Sequence, residues 1–184
     1  MNSWPWPAPE DDGGARHLIA GTQLPDVALE STTGSAVDLA RREGAAVLFV
    51  YPFTGTPGTP NPPRWDEIPG AHGSTPEAEG FRDHHQVLQD LGLGVFGLSG
   101  QTSTDQRAFA ARVGLTFPVL SDTGFAFAAA LRLPRFETGG VKYLRRISFI
   151  IRDGVIEQTI YPVHPPDRHA QDLVSRLRST SARI

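Results

Sequence analysis

The sequence predicts an α/β protein: a mixed central sheet flanked by helices, with its last two strands antiparallel. Three observations carry this. The run Ala45-Ala46-Val47-Leu48-Phe49-Val50-Tyr51 is long enough for a strand buried on both faces and too short for a helix. Strand-like and helix-like segments alternate after it, the pattern that builds a layered α/β domain. Asp153-Gly154 then separates two β-rich runs, a strong hairpin signal.

Taken in order, the elements read as follows. Trp4-Pro5-Trp6-Pro7-Ala8-Pro9 and the acidic Glu10-Asp11-Asp12 have no period, and their prolines block helix and inner strand alike. Residues 1–16 are therefore expected to be a disordered or loosely docked tail, and residues 17–184 a single domain. The tail lacks the basic start and apolar stretch of a secretory signal, which points to a cytoplasmic protein. Pro52 to Gly73 carries six prolines and no periodic core, so it reads as a long Pro-rich insertion loop at the carboxyl end of the central strand. Loops of that length and place are often functional. Pro76 to Leu91 places Ala78, Phe81, His85 and Leu88 at helical spacing. Val95 to Leu98 is a second buried strand. Ser103-Thr104-Asp105-Gln106 matches a capping box ahead of Phe109 and Val113, with Gly114 as the stop. Phe117 to Leu120 is a strand placed at an edge by Pro118. Asp122 caps a helix burying Phe125, Ala128 and Leu131. Arg146–Ile151 and Val155–Ile160 form the hairpin, and a helix after Pro165-Pro166 buries Ala170, Leu173, Val174 and Leu177.

Composition excludes several functions. The chain has 184 residues, a formal net charge of −3, 39% hydrophobic residues and no cysteine. It is one domain, large enough to bury a core without staples. No basic field invites nucleic acid or a membrane surface, and no apolar run reaches the ~18 residues that span a bilayer. Without cysteine there is no disulfide, iron–sulfur cluster or thiol nucleophile. Asp83-His84-His85 and His164…His169 match no metal-ligand spacing, and no Gly-rich phosphate loop follows a strand, so neither metal nor cofactor is expected.

Several phrases together resemble the peroxiredoxins. They are Leu24-Pro25-Asp26 opening a hairpin, the strand ending Phe49-Val50-Tyr51-Pro52, Ser74-Thr75-Pro76-Glu77-Ala78-Glu79-Gly80-Phe81-Arg82-Asp83, Phe117-Pro118-Val119-Leu120-Ser121-Asp122, and Arg146-Ile147-Ser148-Phe149. The nearest branch is the Q type, the bacterioferritin comigratory protein group, and the likeness runs from about residue 22 to 178. It implies a thioredoxin-like fold of the peroxiredoxin type and, for the family, peroxide reduction with a thioredoxin-type reductant. It also assigns positions. The family's peroxidatic cysteine falls on Ser74 and its resolving cysteine, five residues on, falls on Glu79. The active-site arginine falls on Arg146, and the proline opening the Pro-x-x-x-Thr-x-x-Cys motif falls on Pro52. A gapless reading of that motif instead uses Thr56 as its threonine and puts Thr59 at the cysteine. The helix phrase favours Ser74, with Thr75 beside it, after an insertion of about fifteen residues.

A helix N-terminus and an arginine can bring a thiol from about 8.5 to near neutrality, whereas a serine hydroxyl stays protonated. The resemblance thus implies a chain that lacks the peroxidatic sulfur and should not reduce peroxides. Two origins fit: natural loss of the chemistry, with the fold kept for binding or scaffolding, or an engineered Cys-to-Ser form of a one-cysteine enzyme. Ser74 alone reads as a helix N-cap, or less simply as a nucleophile assisted by His72. Arg146 reads as a clamp for a peroxide or small anion in a vestigial pocket, or as the ion-pair partner of Glu79 or Asp83. A thioredoxin-type reductant is expected only if the cysteine is restored. Either a monomer or a homodimer is compatible with the sequence.

Overall fold

The computed structural model describes residues 4–181. Its central strand, β3 (Ala45–Val50), is the apolar run, and every residue of it is buried. Alternation sends Ala46, Leu48 and Val50 to one face of the sheet and Val47, Phe49 and Tyr51 to the other. Two cores follow from that split. Helices α1 (Ser74–Asp83), α2 (His85–Asp90), α3 (Ser103–Val113) and α5 (His169–Ser181) cover the Phe49 face, with Phe81, Leu88, Phe109 and Leu173 as anchors. The Leu48 face is covered by α4 (Ala126–Ala130) and by segments bearing Leu18, Leu24, Leu39 and Leu144.

The sheet has seven strands. In spatial order they are β2 (Val37–Asp38), β1 (Ala28–Ser31), β5 (Val119–Ser121), β4 (Leu93–Ser99), β3, β8 (Ile147–Arg152) and β9 (Val155–Ile160). β3, β4 and β5 are parallel, while β1, β2, β8 and β9 make antiparallel pairings. This is the expected mixed α/β sheet, closed on one side by the β8–β9 hairpin. Its turn residues Asp153 and Gly154 both take positive φ, 49° and 76°, which suits Asp-Gly.

Four local expectations need correction. β5 is interior, between β4 and β1, because Pro118 lies one residue before the pairing starts and contributes only its carbonyl, which accepts from Gly97 N at 3.1 Å. The helix expected from Pro76 to Leu91 divides at His84, whose ring nitrogen reaches back to the Gly80 carbonyl at 2.9 Å. The cap of α3 is Thr102, whose hydroxyl accepts from Asp105 N, so the predicted box is displaced by one residue. Gln106 is instead buried, donating to Ser99 Oγ and the Leu120 carbonyl. Finally, the 52–73 segment has a packed centre. A short 3₁₀ turn, Trp65–Glu67, sets the buried Trp65 among Phe53, Phe136 and Tyr143. Those last two rings belong to a hairpin absent from the sequence reading, β6 (Arg135–Thr138) and β7 (Val141–Leu144). Asp122 does cap α4, its carboxylate accepting from Phe127 N at 3.1 Å and Ala128 N at 2.8 Å.

Candidate functional site

The site lies where the loop leaving β3 returns to start α1. Gly73, at φ 109°, makes the turn, and only a glycine fits: a Cβ there would sit 2.2 Å from Pro166 Cγ and 2.8 Å from Trp4. Ser74 is the first helical residue and is 3% exposed. The expected N-cap role is therefore corrected. Ser74 already has helical backbone angles, Gly73 occupies the cap, and the Ser74 hydroxyl faces a guanidinium.

That guanidinium is Arg146, 3% exposed, immediately before β8. Its Nη2 donates to Ser74 Oγ at 3.2 Å and the His72 carbonyl at 3.1 Å, with the Gly70 and Ala71 carbonyls at 3.4 Å. Its Nη1 forms a close ion pair with Glu77 Oε2. Glu77 is fully buried, and its other oxygen meets His169 Nδ1 at 2.8 Å. An arginine, a carboxylate and an imidazole thus form one buried chain behind Ser74, drawn from β8, α1 and α5. Each buried charge here has a partner, the condition under which such groups persist in a core. Glu77 replaces the partners expected for Arg146: Asp83 pairs with Arg82 at 2.9 Å, and Glu79 is half-buried on another side of α1. Five residues along a helix turn the chain by about 140° beyond a full circle, so Glu79 cannot share the Ser74 face. Nearby, burial pushes the Tyr51 phenol well above its usual pKa, and the Glu77 charge adds to the rise.

In front of Ser74 is a cavity of about 280 Å³. Its walls include Thr54, Asn61, Trp65, Ser74 and Thr75, together with Trp4 and Trp6 from the N-terminal segment. Thr54 is held by Gln101, whose side-chain oxygen accepts from both the Thr54 amide at 2.9 Å and its hydroxyl at 3.1 Å. The arrangement offers a small polar molecule three hydroxyls and the first amides of α1, which lack intrahelical partners as at any helix start. A base for Ser74 is missing from the expected quarter: His72 is turned to Asp66 at 2.7 Å and lies flat under Trp6. Among the described residues no group of three His, Cys, Asp or Glu is placed to hold a metal ion.

Known proteins share the fold and sequence pattern of this chain. The Redoxin family model matches residues 19–175. The chain belongs to the redoxin family. This redoxin is similar to chloroplastic peroxiredoxin Q of Sedum lineare, 26% identical over 163 residues, covering 88% of this chain and 79% of that protein. It is also similar to the putative peroxiredoxin bcp of Coxiella burnetii, 27% identical over 167 residues, covering 87% of this chain and 99% of that one. Among solved structures, Mycobacterium tuberculosis peroxidoxin BcpB superposes with a TM-score of 0.69 at 26% identity, covering 89% of this chain and 98% of that chain. The redoxin is thus a peroxiredoxin-family protein of thioredoxin-like fold that has no peroxidatic cysteine, since it has no cysteine at all.

The remaining residues singled out in sequence are scattered in this redoxin. Arg146 and Ser74 meet, and Thr75 lines the cavity. Pro52 is buried behind it, and Thr56 and Thr59 are exposed on the outer loop, where Thr59 N donates to the Thr56 carbonyl at 3.0 Å. Thr54, not Thr56, supplies the threonine wall. Sequence reasoning missed Glu77 and His169. Glu77 had a signal, since it shares the stripe of Ala78 and Phe81 on an otherwise apolar helix face. His169 heads the apolar stripe of α5, but its partner is 92 residues away.

Proposed function

We propose that this redoxin has left the family's redox cycle and serves as a binding protein, holding a compact oxygen-bearing molecule, a peroxide or small oxyanion, in the cavity at Ser74. The carrying observation is the buried Arg146–Glu77 pair with Ser74 hydrogen-bonded to it in place of a sulfur nucleophile. A hydroxyl there stays protonated near neutral pH and is a weak nucleophile toward peroxide oxygen. No sulfenic acid forms, so no thioredoxin-type reductant has anything to reduce. Among the described residues no helix is long and apolar enough to cross a membrane, and this reading places the protein in the cytoplasm.

The test is a gain of chemistry. Wild type should consume hydrogen peroxide no faster than buffer in the presence of dithiothreitol, and Ser74→Cys should consume it well above a free-thiol control. A folded Ser74→Cys variant that stays at the control rate overturns the assignment of position 74. Binding is read by amide chemical shifts on titration with tert-butyl hydroperoxide or inorganic phosphate, and shifts confined to Thr54, Ser74 and Thr75 are expected.

A further inference from the structure

Two walls of the Ser74 cavity come from outside the family domain, whose match begins at residue 19. They belong to a strap formed by residues 4–12. Trp6 lies parallel on the His72 ring, centroids 3.7 Å apart and planes within 10°, and His72 is fixed in turn by Asp66. The Pro7 carbonyl accepts from Gly70 N at 3.2 Å. Trp4 lies against Gly73, and Pro9 against Gly70. The strap therefore grips residues 70–73, a turn in which Arg146 fastens the carbonyls of 70, 71 and 72 from beneath. At its far end Asp12 accepts from the Tyr161 hydroxyl at 2.7 Å.

We infer that this strap is the gate of the Ser74 cavity and sets its size limit. Docked, Trp4 and Trp6 reduce the site to about 280 Å³ with mainly polar lining, room for a compact hydrogen-bonding molecule. Bulky or long-chain compounds enter only when the two indoles leave. Release is easy relative to unfolding, because the strap is half-exposed and contributes no residue before Ala15 to either core. Its attachments are a ring stack, one backbone hydrogen bond, edge contacts and, at the far end, the exposed Asp12 carboxylate on Tyr161 and Arg145, the kind of segment that opens locally while the core stays closed. The glycines at 70 and 73, which positive φ already favours, also leave the strap its room: a Cβ at 70 would crowd Pro9, and one at 73 would meet Trp4 as well as Pro166. This inference deepens the binding reading by naming what regulates the same cavity.

The absence of cysteine supplies the experiment. Ser74→Cys introduces the only thiol in the chain, placed on the cavity floor. Its labelling is followed with iodoacetamide and with a bulky dye-maleimide, and the ratio of the two rates, each normalised to free cysteine, cancels any change in thiolate reactivity. With the strap intact the bulky reagent should lag, giving a ratio well below one. Adding Trp4→Ala and Trp6→Ala should raise the ratio at least tenfold, while Trp6→Phe, which still stacks, should leave it low. A ratio near one in the parent, or no change on removing the indoles, overturns the gate. If the double-alanine variant does not fold, as judged by circular dichroism, His72→Ala removes the surface on which Trp6 stacks and should produce the same rise; an unchanged ratio there equally overturns it. Labelling reads access with no ligand present, so a failed peroxide or phosphate titration leaves this result standing.

Discussion

The inner and outer walls of the Ser74 cavity are built on opposite principles. The inner wall, at Ser74 and Thr75, is backed by a buried ionic layer carried by regular elements: Arg146, Glu77 and His169 are each under 5% exposed, come from the strand end and two helices, and lie behind Ser74. The outer wall is aromatic and carried by irregular chain: the half-exposed Trp4 and Trp6 of the strap and the buried Trp65 of the 52–73 loop. The family resemblance implies the peroxidatic position at Ser74, where this chain has a hydroxyl, and the charges behind it are paired. The difference teaches that the ion cluster has a task apart from activating a thiol. Arg146 ties three successive loop carbonyls, those of residues 70–72, to Ser74 and Glu77 in the first turn of α1, and Glu77 is held in turn by His169.

Breaking the inner wall should have the largest effect. Glu77→Leu leaves a buried guanidinium without its carboxylate, and Arg146→Leu leaves a buried carboxylate with only the His169 imidazole beside it; each should cost about 3–5 kcal/mol. Replacing both with leucine should cost less than the two singles combined, because no unpaired charge remains. Urea denaturation of the three variants checks this, and additive losses would show that the pair does not act as a unit.

A substitution at the seam of the two walls should come next. Gly73→Ala meets a positive φ of 109°, the Pro166 ring at 2.2 Å and the Trp4 ring at 2.8 Å. Strain of this kind costs on the order of 1–3 kcal/mol, and Trp4 should be displaced with it. A lowered melting temperature together with red-shifted tryptophan emission is the expected pair of readings. A lowered melting temperature with unchanged emission would confine the strain to the inner wall.

The contrast between the walls also explains what the sequence disclosed. Strands β3 and β4 were plain because burial on both faces writes an unbroken apolar run. The β6–β7 hairpin was hidden because Arg135-Phe136-Glu137-Thr138 is short, half-exposed and charged, and its aromatic partners lie in the distant loop. Of the inner wall, Ser74 and Arg146 were legible through the family phrases, and Glu77 was legible in principle from its place on an apolar stripe. His169 was not, since nothing local marks a histidine whose partner is a carboxylate on another helix. The outer wall was the least legible. Stacking of Trp6 on His72 depends on a proline-rich segment crossing the surface, and no period or cap in the sequence encodes that path.

The smallest effect should sharpen the comparison from the outer side. Asp12, at the end of the strap, has its pKa lowered chiefly by the hydrogen bond from Tyr161, then by the Gly14 amide and the charge of Arg145. A carboxyl whose pKa is lower when folded stabilises the docked state above its unfolded value, near 4, and loses that contribution as pH falls through the lowered one. The strap end should therefore loosen only below about pH 4, before the core does. The group is solvent-exposed, so the change should be a fraction of the signal from removing the indoles. Tryptophan emission followed downward from pH 7 should shift below about pH 4 while far-ultraviolet circular dichroism holds. Asp12→Asn should start in the loosened state and lose the early step. If wild type and Asp12→Asn titrate alike, the strap is held by its rings and the Pro7–Gly70 hydrogen bond, and the Asp12 charge has no share in docking it.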